Sequence, residues 1–147
     1  METIVVGVDG SASADEALRF AALEAKLRGA RLRMVTVWHL SVAVYGAMGP
    51  AVVDSGERYE EEANRVLYDA SERLAEELVG IEVERVVREG RAASSLVYEA
   101  HEASLLVVGS RGHGAFVGVL IGSVSKECAN HSSCPVVIVR AREATPA

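Results

Sequence analysis

Three short clusters hold the residues best suited to chemistry. Asp9-Gly10-Ser11 sets a carboxylate beside a turn. Gly109-Ser110-Arg111-Gly112 is a glycine-rich turn that carries a cation. Nine residues further on, Gly122-Ser123-Val124-Ser125 puts small and hydroxyl side chains where a helix can begin. Glycine lets a ligand approach the backbone closely. A helix start directs unpaired amides and a partial positive charge at an anion, and serine hydroxyls add donors. The second and third clusters therefore read as a phosphate cradle. The commoner nucleotide signatures are absent: no glycine precedes Lys126 in the pattern G-x-x-x-x-G-K-S/T, and Val117 stands where G-x-G-x-x-G needs its last glycine.

Other reactive side chains suggest less. His39, His101, His113 and His131 lack the spacing of zinc ligands, and His113 reads as a solvated loop residue. Cys128 and Cys134 are too few for a disulfide framework, so they are expected as reduced thiols, with Cys128 packed on the last helix.

The elements that must position these clusters alternate along the chain. Residues 3–8, 32–38, 81–87, 105–109 and 136–140 read as strands. Ile4-Val5-Val6 and Leu105-Leu106-Val107-Val108 are continuously apolar, which suits strands covered on both faces of a parallel sheet. Between them lie helical patterns. Ser13-Ala14-Asp15-Glu16 reads as a capping box opening a helix that runs to Arg28, with Gly29 past its end. A long helix is expected over 55–79, its face made of Ala63, Val66, Leu67, Ala70, Leu74 and Leu78, with Gly80 as its stop. A third fits 92–102, and a fourth begins near Ser123, its expected N-cap, and ends before Pro135. Trp38 and Tyr45 follow the second strand, where they could stack on a ligand's ring, but their default role is packing under the loop 40–54, long enough to suggest a lid or an interface.

Strands alternating with helices imply right-handed βαβ units. The third strand is the most polar, so it belongs at an edge. The expectation is an α/β fold: a doubly wound five-stranded parallel sheet of order 3-2-1-4-5, in one domain over residues 1–147. Its ligand crevice lies at the carboxyl ends of strands 1 and 4, where the winding reverses. All three clusters converge there.

Of the 147 residues half are apolar, which provides a core and excludes a disordered chain. Net charge is −6, from 21 acids against 15 bases, which argues against a nucleic-acid partner and an anionic membrane. No apolar stretch reaches the roughly 20 residues of a membrane span, and the opening residues are not expected to act as a leader. A soluble, cytoplasmic protein is expected.

Gly109-x-x-Gly112, nine residues and Gly122-Ser123 match the G-2x-G-9x-G-S/T pattern of the universal stress protein family, in its ATP-binding subclass. Asp9-Gly10-Ser11, Gly90 and Cys134-Pro135-Val136 also agree, so the resemblance extends from Ile4 to Arg140. Ser104 departs from the aspartate common before strand 4, at the end away from the crevice. The resemblance implies an adenine-nucleotide fold of the Rossmann-like kind. Asp9, with Val8 before it, would contact the adenosine, and Val37 would meet the adenine. Gly109 and Gly112 would border the ribose and phosphates, while Gly122, Ser123, Val124 and Ser125 would grip the phosphates. Arg111 would lie near as a mobile counter-charge. The cofactor implied is ATP with Mg2+, and no metal site of the protein's own is expected. The resemblance also implies a homodimer paired through the last strand, Val136, Val137, Ile138, Val139 and Arg140, and a role in stress survival through nucleotide-dependent conformation or partners. Two other readings stand beside it: a slow ATPase or a phosphoryl or adenylyl transferase, and a dimeric adaptor that works without nucleotide.

Overall fold

The apolar runs form one parallel sheet whose two faces are both covered. A computed structural model describes residues 1–39, 55–111 and 121–141. Along the chain come β1 (Thr3–Gly7), α1 (Ala12–Arg28), β2 (Arg31–Trp38), α2 (Ser55–Arg73), α3 (Ala75–Leu78), β3 (Val83–Glu89), α4 (Ala92–Glu99), β4 (Leu105–Gly109), α5 (Ser123–His131) and β5 (Val136–Val139). The strand order is β3-β2-β1-β4-β5, and every neighbouring pair is parallel. This is the doubly wound α/β fold that the alternation of strands and helices dictates.

Strand alternation divides the core in two. Ile4 and Val6 point to the face of α1 and α2, packing with Leu18, Leu32, Met34, Leu67 and Leu74. Val5 points to the other face, with Val35, Leu96, Leu106, Val108 and Cys128, beneath α4 and α5. Central strands need both faces apolar, which is why β1 and β4 show no alternation in sequence. β3 lies at one edge as expected. Ion pairs cross from β2 to the polar stretch beside it: Arg31 to Glu82 at 2.8 Å and Arg33 to Glu84 at 2.9 Å. β5 forms the other edge, and all four of its residues are half-buried.

Several boundaries differ from the sequence expectation for local reasons. Helix α1 is capped by Ser11, whose side chain accepts from the amide of Ala14, so the capping box at Ser13 and Glu16 does not form. Glu16 instead pairs with Arg19. The helix does end at Arg28, with Gly29 left-handed at φ 63°. The long helix over 55–79 is interrupted at Leu74, where φ −114° and ψ 27° separate α2 from α3. α4 stops at Glu99 rather than 102. At α5 the N-cap is Gly122 and Ser123 is the first helical residue, so Ser123 is not the cap.

Candidate functional site

Hydrogen bonds link the carboxyl ends of β1, β2 and β4 and the start of α5 into one rim. The Val8 amide donates to Val35 O at 2.8 Å, and the buried Thr36 hydroxyl returns a bond to Val8 O at 2.8 Å. Both polar groups of Val8 thus serve the strand ends. Past it the chain turns at Gly10, which is left-handed at φ 82°. One Asp9 carboxylate oxygen accepts from the Ser11 amide at 2.9 Å, so Asp9 braces the turn into α1 while Ser11 caps the helix. This Asx-type turn is a local preference of aspartate.

The β4 end is stapled to both neighbouring helices. From the first turn of α1, Ser13 donates its hydroxyl proton to Arg111 O at 2.5 Å. The buried Ser125 hydroxyl donates to Gly109 O at 2.6 Å, and the Gly122 amide donates to Ser110 O at 2.6 Å. A side chain at Gly109 would place its Cβ 2.5 Å from the Ser13 hydroxyl and 2.8 Å from the Ala14 nitrogen. Glycine is therefore required here by the packing of α1 on β4. Gly122 is different: at φ −75° and ψ 167° its backbone is one that any residue adopts.

Helix α5 opens directly at this rim. Its first bond inward is from Lys126 N to Gly122 O at 3.1 Å. Helix geometry gives the amides of Ser123, Val124 and Ser125 no acceptor inside the helix. They lie at its positive end, where an anion is favoured. The fold thus brings Val8, Asp9, Val37, Gly109, Arg111, Gly122, Ser123, Val124 and Ser125 to one end of the sheet. Gly112, His113, Tyr45 and the loop 40–54 lie outside the described residues.

Beside the β1 and β2 ends, a cleft of about 160 Å³ is lined by Asp9, Thr36, Val37, Trp38, Tyr59, Glu62, Ala63 and Val66. Among the described residues its ionisable carboxylates are Asp9 and Glu62, and no lysine or arginine lines it. Tyr59 and Glu62 were not singled out from the sequence. The signal was there: 59, 62, 63 and 66 fall on one helical face. What the sequence cannot give is which part of that face meets a crevice instead of the core.

No helix among the described residues is long and apolar enough to cross a membrane. Among them, no group of three or more His, Cys, Asp or Glu side chains is arranged to hold a metal ion.

Comparison with known proteins gives a consistent result. A model of the universal stress protein family matches residues 1–140. A universal stress protein of Mycolicibacterium smegmatis is 37% identical over 142 residues, which are 95% of this chain and 46% of that protein. The chain spans about half the length of the curated relatives it matches. Among solved structures, a universal stress protein in complex with cAMP is 30% identical, with a TM-score of 0.68 over 96% of this chain and 98% of its own. UspA from Lactobacillus plantarum shares the fold at a TM-score of 0.80 and 22% identity, covering 95% of this chain and 97% of its own.

Proposed function

Because this chain belongs to the universal stress protein family, we propose that it binds an adenine nucleotide, ATP in particular, and acts through the conformation or partners that the bound nucleotide selects. The observation that carries this reading is the electrical polarity of the crevice. One end is a cleft whose described lining carries the carboxylates of Asp9 and Glu62 and no cation, which is unsuited to phosphate. At the other end α5 begins, with amide donors and a positive dipole end, and Arg111 lies in the turn beside it. A ligand with a neutral, donor-bearing ring at one end and anions at the other satisfies both. A 30% identical neighbour in complex with cAMP supports a ligand of the adenine class.

In this reading the base enters the cleft beside Val37, and Asp9 lies on the adenosine side. Gly109, Arg111 and Gly112 border the ribose and phosphates. Ser123, Val124 and Ser125 receive the phosphates through amides and the Ser123 hydroxyl, while Gly122, whose amide donates to Ser110 O, leaves their approach open. The Ser125 hydroxyl, already donating to Gly109 O, holds the rim in shape. Mg2+ fits as a companion of the phosphates, held by their oxygens and by water, since it dehydrates reluctantly and few carboxylates are at hand. Residues 1–147 act as one domain, the protein works in the cytoplasm, and β5 pairs with its copy in a homodimer. Its role is binding rather than rapid turnover.

Chromatography of the nucleotides released on denaturing the purified protein tests the reading. Adenine nucleotide near one equivalent per chain is the expected result. A protein that carries none and takes up none from millimolar ATP would overturn it.

A further inference from the structure

The face of α2 that meets the cleft carries more than packing groups. Tyr59, Glu62, Ala63 and Val66 all line it, at three- and four-residue spacing. Ala63 is buried, whereas Tyr59 remains 37% exposed. Tyr59 also stacks on Trp38, at the end of β2, with ring centroids 6.4 Å apart and planes inclined by 15°. That spacing is within the range of favourable aromatic pairs. The cleft therefore has a floor of small and branched apolar residues, an aromatic rim, and a carboxylate one turn along the same helix.

Resting on the adenine-nucleotide reading, we infer that Trp38, Tyr59 and Glu62 form a base-selecting wall. The aromatic pair contacts the ring of the base, and the Glu62 carboxylate accepts a hydrogen bond from an exocyclic amino group. An ionised carboxylate can only accept. An amino group satisfies it, while a ring carbonyl in the same place sets two acceptors against each other. The wall therefore favours an amino purine over its oxo counterpart. Glu62 suits this role better than Asp9, because an Asp9 oxygen already accepts from the Ser11 amide in the turn before α1. Selection then comes from α2, an element that contributes nothing to the phosphate cradle.

The test titrates the full chain with ATP, inosine triphosphate and inorganic tripolyphosphate, read by calorimetry and by tryptophan emission. Trp38 is the chain's one tryptophan, so the emission reports on the wall directly. ATP is expected to change that emission and to bind about tenfold more tightly than inosine triphosphate, the scale of one hydrogen bond to a charged group. Glu62→Ala should bring the two nucleotides to near-equal affinity. Tyr59→Ala should weaken both by about fivefold, Tyr59→Phe should restore them, and tripolyphosphate should bind all variants alike. If wild type binds ATP and neither the preference nor the affinity changes in Glu62→Ala and Tyr59→Ala, the wall is overturned while the nucleotide reading stands. If wild type binds neither nucleotide, both are overturned.

Discussion

Gly109 and Gly122 belong to one motif, yet the structure gives them different physical reasons to be glycine. At Gly109 an added Cβ would meet Ser13 and the Ala14 backbone nitrogen of α1, so Gly109→Ala should cost about 1–3 kcal/mol through overpacking, read as a lower urea midpoint. Gly122 has an unstrained backbone, so Gly122→Val should leave far-UV circular dichroism near wild type. Its branched side chain should obstruct the approach of phosphate and lower ATP affinity about tenfold, or about 1.4 kcal/mol. Unchanged affinity in that variant would remove Gly122 from the phosphate site. The cysteines provide a separate check. Burial, with Glu127 nearby, pushes the Cys128 thiol up to about 11, whereas Cys134 is half-buried. Iodoacetamide at pH 8 should label Cys134 alone in the native protein and both after denaturation. A thiol whose pKa is raised on folding stabilises the fold fully below its ordinary value of 9.0, and that contribution is lost as pH rises through about 11. At this scale the sequence was only partly legible. The residues of the crevice could be named, but whether Ser11 or Ser13 caps α1 depends on Ser13 being drawn to Arg111, a partner 98 positions away.

Elements were more legible, and the exceptions show what a pattern leaves out. Continuous apolar runs marked β1 and β4 because central parallel strands are covered on both sides. The break at Leu74 is invisible in the sequence. Leu74 is 1% exposed and its amide still reaches Ala70 O at 3.0 Å, so the apolar period runs through the interruption unaltered. The polarity of β3 placed it at an edge, but the residue that anchors the neighbouring elements there is Glu99, at the end of α4. Its buried carboxylate pairs with Arg88 of β3 and Arg33 of β2. Removing it leaves two guanidinium groups without their shared partner. Both remain partly solvated, so Glu99→Ala should lower stability by about 1.5–3 kcal/mol, the range for hydrogen bonds to charged groups. Thermal denaturation reads this directly, and an unchanged midpoint would show that solvent compensates both arginines.

For the whole molecule, topology does what no single residue can. The order β3-β2-β1-β4-β5 reverses its winding between β1 and β4, so the Asp9 turn and the Gly109 turn must open on the same crevice, 100 residues apart in sequence. That was readable from the alternation of elements, because right-handed crossovers leave few other arrangements. The cleft on α2 was not, since it depends on where a helix settles against β2. Topology also leaves β5 at an edge, with Val136, Val137, Ile138 and Val139 half-buried in the single chain. An apolar edge is normally covered. Two-fold pairing with a second copy would do so, and light scattering should report a dimer that Ile138→Pro disrupts or unfolds. A well-behaved wild-type monomer at micromolar concentration would contradict that assembly. The central claim, a nucleotide site between an acidic cleft and a helix N-terminus, is met most directly by isothermal titration of the wild-type chain with ATP and Mg2+. The account predicts saturable binding with a dissociation constant on the order of micromolar, about 8 kcal/mol. No saturable heat up to millimolar ATP, in protein first stripped of endogenous nucleotide, would contradict it.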